Sequence, residues 1–318
     1  MAIKDCEIDG YLIPKCATQF VNIWAIGRDP VSWPNDPLEF NPDRFGPGSL
    51  HENVDVKGND FELIPFGAGR RICAGMNLGL RMVPLVTAAL AHSFDWKLLD
   101  GQIADMTADQ HRRLPLPPGP KGWPLLGNLF QLGSNPTHRT LQTLSRSHGC
   151  DGLLHLRFGI VDVIVLSTAS AVAKCFCNHD VNLSSRPLDS TGKLMAYNAQ
   201  DLILAPYGRR WRMMRKICSS HLFSNKALNE FQDVRHGEVV RLVREFAGRK
   251  AVVNVGEMVS ICAINALSLV LVGRRISAGY EEALQFKEMA IELTRLAGQP
   301  NIGDFLPWID WLDLQASD

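Results

Sequence analysis

The sequence predicts a mainly α-helical chain with small β-sheets, an α+β fold. Apolar residues recur at helical spacing over several long stretches, and short alternating runs bounded by Gly and Pro read as strands. A third sign is a loop rich in Gly and Arg, Phe66 to Gly75, that leads straight into an apolar helical repeat.

From the start of the chain, Gly10–Pro14 and Phe20–Trp24 read as two strands joined by a turn near Lys15 to Thr18. Residues 28–50 hold five prolines among Asp, Asn and Gly, which predicts irregular backbone. After the glycine-rich loop, Leu78, Met82, Leu85, Val86, Ala89 and Leu90 repeat as one face of a helix. Pro84 lies inside it and should cost about 3 kcal/mol. Ser93–Leu98 reads as a short closing strand.

Residues 100–113 lack an apolar period and shift from acidic to basic, which marks a junction. Beyond it, Leu116–Pro124 is extended by repeated proline. Thr137–Ser147 is an amphipathic helix, and Leu153–Phe158 with Val161–Leu166 form a hairpin around Gly159. Ser167 is placed to cap a helix through Cys177. Asn182–Gly208 is a long loop region, and Arg209–Cys218 a basic helix with Trp211 and Arg215 on one face. Asn225–Phe246 and Gly256–Leu271 carry apolar stripes of core helices.

Composition narrows the function. Over 318 residues, 46% are hydrophobic and 21% charged, as in a globular chain able to bury a core. Lys+Arg and Asp+Glu both number 33, which argues against nucleic acid as a partner. Eight cysteines form no CxxC pair, which favours free thiols. The opening MAIKDCEIDGYLIP lacks the apolar core of a signal peptide. The most apolar stretch, Met258–Val272, is interrupted by Ser260, Asn265 and Ser268 and reads as a buried helix, not a membrane span.

Phe66–Gly75, FGAGRRICAG, carries the chemistry. A thiolate that binds metal needs N–H donors and positive charge nearby, and a flat ligand needs glycine for close backbone approach. Gly67, Gly69 and Gly75 permit that approach, Arg70 and Arg71 supply cations, and the following helix directs its positive end toward Cys73. A zinc or free-thiol redox centre on Cys73 lacks a second ligand at metal spacing.

The loop fits F-x-x-G-x-R-x-C-x-G at every fixed position: Phe66, Gly69, Arg71, Cys73 and Gly75. On these residues the chain resembles the cytochrome P-450 family of heme-thiolate monooxygenases. The resemblance implies heme (iron protoporphyrin IX) with the Cys73 thiolate as axial metal ligand, shielded by Phe66. Gly69 and Gly75 belong to the same cofactor loop. Arg71 and the W-x-x-x-R pair Trp211 and Arg215 would bind propionates, for which the planar guanidinium is suited. Arg44, in an element resembling the family's P-x-R-F, would join an ion-pair network. The implied partners are an NADPH-dependent cytochrome reductase, docking on a basic face near Arg81, O2 and a small flavonoid-like substrate. The implied location is the cytosolic face of the endoplasmic reticulum membrane, although no transmembrane anchor precedes the hinge.

Nearly the whole chain resembles the family, in exchanged order. Residues 1–100 resemble its C-terminal part, 101–113 form a junction, and 114–318 resemble its N-terminal part. The likeness narrows to plant flavonoid 3′-hydroxylases on Val54–Phe61, Ala91–Trp96, the LPPGPKGWPLLGN hinge and the GDFLPWIDWLDLQ tail. The implied reaction is insertion of one oxygen atom into a C–H bond of the flavonoid B ring. The family's central part has no counterpart, and no A/G-G-x-D/E-T stretch supplies the distal oxygen-binding helix, so no catalytic residue is identified. The E-x-x-R strings Glu238–Arg241 and Glu292–Arg295 fall among the early helices and receive no role. The fold expected is therefore an incomplete cytochrome P-450-type fold. The order favours a catalytically inactive fusion or remnant of tandem family genes over a permuted enzyme.

Overall fold

The structure, a computed structural model, describes residues 1–96, 119–132, 137–249, 252–276, 280–297 and 301–308. In chain order these form β1 (Cys6–Ile8), β2 (Tyr11–Ile13), β3 (Thr18–Val21), α1 (Ile23–Ile26), α2 (Met76–Ser93), α3 (Thr137–His148), β4 (Leu153–Phe158), β5 (Val161–Leu166) and α4 (Ala169–Leu183). There follow α5 (Ser190–Met195), α6 (Arg209–Ile217), α7 (Asn225–Glu230), α8 (Gln232–Gly248), α9 (Val255–Val272), α10 (Tyr280–Ala297) and α11 (Ile302–Phe305). The chain is mainly helical with small sheets, as the sequence predicts.

Two compact units form. The first takes the described residues within Met1–Cys73, Asp105–Trp211 and Asn301–Asp318, the second those within Ala74–Ala104 and Arg212–Pro300. Each draws on residues from both sides of 101–113.

In the first unit β4 and β5 pair antiparallel from Leu153↔Leu166 to Phe158↔Val161, with Gly159 turning at φ 56°. This is the hairpin read from the sequence. On the other edge of β5 lies β3, parallel, with Thr18 opposite Val163 and Val21 opposite Leu166. The expected hairpin of Gly10–Pro14 with Phe20–Trp24 is therefore corrected. The first of these runs contains β2, which pairs with β1 instead. Asp9 and Gly10 both take positive φ, 52° and 79°, as the tight primed hairpin turn needs. The second run ends at Val21, because Asn22 caps α1 by accepting from the Ala25 N–H.

Leu154, Leu156, Phe158, Val163 and Val165 of the hairpin bury together with Leu141 of α3. On the opposite face Ile164 and Leu166 join Ile8, Ile13, Ile26, Val172 and Cys175. Thr168, not Ser167, caps α4 by accepting from the Ala171 N–H, while the Ser167 hydroxyl lies 2.7 Å from that of Ser145. The helix runs beyond Cys177 to Leu183.

In the second unit α2 continues through Pro84, which is exposed. Val86 and Leu90 on its other face bury against Val239, Leu242 and Phe246 of α8 and Met258 and Cys262 of α9. Burial of that face, at about 25 cal/mol per Å² of apolar surface, works against the cost of the lost backbone bond. The strand expected at Ser93–Leu98 is not formed over the described part. Ser93 ends α2, and Phe94 and Trp96 pack on Phe246 with ring centroids 5.6 Å away in each case. Residues 97–98 of that stretch, and 116–118 of the proline-rich stretch, lie outside the described residues.

α9 has the length and hydropathy of a membrane span, with one third of it buried. Its Met258, Ile261, Cys262, Asn265, Ala266 and Ser268 are buried. Glu238, given no role from the sequence, is also buried and ion-paired to Arg275 at 3.0 Å. Glu292 and Arg295 form an exposed pair at 2.6 Å. Arg44 donates to the carbonyls of Asp36 and Glu39 of its own loop, at 3.0 and 3.3 Å, in place of the expected ion-pair network.

Two outcomes are expected. Leu154→Ala, at a fully buried position, should lower the urea unfolding free energy by about 2–5 kcal/mol, whereas Leu12→Ala, at an exposed one, should change it by less than about 0.5 kcal/mol. Burial pushes the Cys175 thiol to about 12 and the Cys262 thiol to about 11 from 9.0. Between 9 and those values the folded chain keeps protons that the unfolded chain loses, so stability should fall as pH rises through that window. Unfolding measured from pH 8 upward in wild type and Cys175→Ala should show a shallower fall in the variant.

Candidate functional site

Loop 61–73 folds back on itself through backbone bonds. The Gly67 N–H donates to the Ile64 carbonyl at 3.0 Å, the Ile72 N–H to Gly69 at 3.1 Å and the Cys73 N–H to Phe66 at 2.9 Å. Phe66 and Cys73 are thus closed into one turn, with Phe66 half-buried and the Cys73 thiol exposed. Gly67 and Gly69 take φ of 73° and 63°, which a side chain disfavours. A Cβ on Gly67 would meet open space, whereas one on Gly69 would lie 2.6 Å from both Asp180 Oδ1 and Phe176 of α4. Gly69 therefore answers to packing as well as to conformation. Gly75 has an ordinary φ of −91° and caps α2 in the second unit.

The two arginines have different attachments. Arg70 gives its backbone N–H to Asp180 Oδ1 at 2.9 Å and pairs through Nε with Asp180 Oδ2 at 3.1 Å. Its Nη1 reaches the Tyr207 hydroxyl at 3.3 Å. Arg71 donates from Nε to the Ser184 carbonyl and from Nη2 to the Ala205 carbonyl, both at 2.7 Å. Its guanidinium lies 4.3 Å from the ring centroid of Trp211, a cation–π contact. Trp211 is 5% exposed and donates its indole N–H to the Leu202 carbonyl at 3.0 Å. The Tyr207 and Trp211 rings are 5.3 Å apart. Asp180, Phe61 with Phe176, and Tyr207 complete the setting of the loop, and the sequence pattern does not single them out. A lone helical carboxylate carries no local signal.

A half-open cavity of about 670 Å³ in the first unit is bordered by Gly67, Ala68 and Arg71, and faced by Trp24, His138 and Phe176. Its size lies within the range of small-molecule and cofactor sites. The Arg28 guanidinium stands 3.4 Å over the Trp24 ring, and the His138 ring is 4.9 Å from it. Burial, with the charges of Arg139 and Arg28, lowers the His138 pKa.

Arg215 is half-buried and belongs to the second unit, one helical turn after Trp211 on α6. Arg81, also in the second unit, donates to the side chains of Asn229 at 2.6 Å and Asn225 at 3.2 Å. Within the first unit Phe66, Gly69, Arg71, Cys73 and Trp211 are thus brought into one connected neighbourhood.

A helical fold with small sheets and a cysteine loop of this form define a heme-thiolate class, and comparison agrees. Residues 1–114 and 117–316 match the family model of cytochrome P-450, and the chain belongs to that family. Members hold heme iron through a cysteine thiolate. The chain is similar to a flavonoid 3′-monooxygenase of Crocosmia x crocosmiiflora, 52% identical over 209 residues, which are 64% of this chain and 41% of that protein. A flavonoid 3′-monooxygenase of Petunia hybrida is 48% identical over 64% of this chain and 40% of its own length. One from Arabidopsis thaliana is 49% identical over 63% and 39%. The chain thus spans about two fifths of the length of these relatives.

Two features suit a heme: Cys73 is exposed, and Gly67 leaves open space where a side chain would stand. The cavity that Arg71 borders does not have Cys73 in its lining. The Trp211 N–H is held by the Leu202 carbonyl, and its ring carries Arg71.

Gly69→Ala is expected to lower stability by at least about 1 kcal/mol, through positive φ and the contact with Asp180 and Phe176. Gly75→Ala, whose added atom would sit 3.6 Å from Phe223, should be nearly neutral. Thermal unfolding of the two variants compares them directly.

Proposed function

We propose that this chain carries the thiolate side of a heme monooxygenase that hydroxylates the flavonoid B ring at the 3′ position. The observation that supports this most is the Phe66–Gly75 loop, which presents an exposed Cys73 beside an anchored Arg71. The similarity to flavonoid 3′-monooxygenases supplies the substrate class.

Bound heme supplies oxygen activation and insertion of one oxygen atom into a C–H bond, with two electrons from an NADPH-dependent cytochrome reductase. The chain's part is positional and electrostatic. Cys73 Sγ would hold the iron, and the closed turn from Phe66 to Cys73 fixes where it stands. Phe66 stands at the other end of that turn, its carbonyl accepting the Cys73 N–H, and would shield the sulfur once heme is bound. Arg71, rigid between two carbonyls and an indole, would offer positive charge to propionates. Gly67 and Gly69 allow the loop backbone to approach a flat ring. The reductase, O2 and a flavonoid-like small molecule are the proposed partners, and the cytosolic face of the endoplasmic reticulum membrane the proposed location.

A second reading is a catalytically inactive fusion or remnant of tandem family genes. The family match breaks between residues 114 and 117, and each of the three relatives named above aligns with 63–64% of this chain and about 40% of its own length. A family match in two pieces, with relatives aligned over part of this chain, is what exchanged segments would give.

The discriminating experiment is a carbon monoxide difference spectrum of the reduced protein, expressed with heme precursor. A red-shifted thiolate-type Soret band that disappears in Cys73→Ala is the expected result for the first reading. Wild type and Cys73→Ala without that band, both soluble and folded, would overturn it and leave the remnant.

A further inference from the structure

Resting on the heme-thiolate reading, we infer that Asp180 of α4 is a positioning residue that clamps the cysteine loop and sets the register of Cys73 toward iron. One carboxylate takes two donors from the same residue. The backbone N–H of Arg70 reaches Oδ1 at 2.9 Å and its Nε reaches Oδ2 at 3.1 Å. The contact therefore fixes main chain as well as side chain.

An exposed ion pair by itself contributes little, roughly 0–1 kcal/mol, and Arg70 is exposed. The bond to the backbone changes that balance. A hydrogen bond to a charged acceptor is about twice as strong as a neutral one, and here it ties the Gly69–Arg71 turn to a helix. Close packing makes the attachment specific. Gly69 abuts Asp180 and Phe176, and Phe176 stacks on Phe61 at 6.3 Å and 12°, at the other end of the loop. Residues 176 and 180, one turn apart on α4, thus grip the loop at two points. Cys73 lies three residues beyond the clamped amide, and its own N–H closes back on Phe66. Releasing Arg70 frees the turn between these bonds and with it the direction of the thiol.

The test uses the full chain with Asp180→Ala, Asp180→Asn and Arg70→Ala, and two readouts. In the heme-free protein, tryptic cleavage after Arg70 or Arg71 reports opening of the loop. It should rise roughly tenfold in Asp180→Ala and less in Asp180→Asn, which keeps one acceptor for the amide. Cleavage after Arg71 should rise least in Arg70→Ala, where the backbone bond remains. In the heme-loaded protein, the carbon monoxide band should shift in the same order from thiolate-type to the shorter-wavelength type of a lost thiolate. Unchanged cleavage in a folded Asp180→Ala overturns the clamp, and raised cleavage with an unshifted band overturns its role toward iron. Should Asp180→Ala fail to fold, the order of the other two variants against wild type decides in the same way. A wild type with no thiolate-type band overturns the heme reading and with it the role toward iron, and the cleavage series then upholds or overturns the clamp alone.

Discussion

Thr18–Val21 and Val163–Leu166 lie far apart in sequence, and their parallel pairing fixes the first unit. A parallel pair needs a long connection and gives no tight turn to set its register, so buried side chains must do so. Val163 and Val165 bury on one face of the central strand and Ile164 and Leu166 on the other, and a shift of one residue would exchange the two sets between the two cores. From the end of β5, Thr168 starts α4 at once, so the helix that receives the cysteine loop stands next to the sheet. From the end of β3, Asn22 starts α1 and binds the His138 carbonyl, which ties the first segment to α3. Cys73 is thus located by a sheet to which it does not belong.

The loop needs that outside support. Its internal bonds are three short backbone closures, each worth about 1 kcal/mol net, against an ordering cost of about 1–2 kcal/mol per residue. Glycine raises that cost further, since Gly67 and Gly69 have the most freedom to lose. What offsets it comes from α4 and from residues 184–211. Asp180 holds Arg70, the Ser184 and Ala205 carbonyls hold Arg71, and Trp211 underlies Arg71. Buried Ile64 and Ala68 add apolar anchoring to the first core.

Legibility in the sequence followed the range of the interactions. The β4–β5 hairpin and α3 were readable because alternation, helical period and Gly159 are local signals. The β1–β2 hairpin also has a local signal, Asp9-Gly10, but the apolar runs downstream of it are stronger. β3 was read as a strand with the wrong partner, since nothing within residues 1–26 points to residue 163. Ser167 and Thr168 are equally good caps by residue type, and only the exit of β5 chooses between them. The same limit holds at the site. Phe66, Gly69, Arg71 and Cys73 were legible from their spacing, whereas Asp180 and Tyr207 were not, because their relation to the loop exists only in the fold. Glu238 failed for a related reason: a charged string looks solvated until its neighbours bury it.

Arg70 and Arg71 illustrate how far the fold refines a motif. In sequence they are adjacent, equal in charge and exchangeable. In the short turn at Gly69–Arg71 successive side chains diverge by about a third of a rotation, so the two cannot share a partner. Arg70 falls on the side of α4 and meets a carboxylate, which offsets its charge. Arg71 falls on the side of Ser184 and Trp211 and meets carbonyl oxygens and a ring face, which hold the guanidinium in place. The family pattern fixes the second arginine and leaves the first free, and the divergence gives a physical reason. A cation meant for an anionic cofactor must be held in place, and one that anchors a loop must reach the helix that receives it.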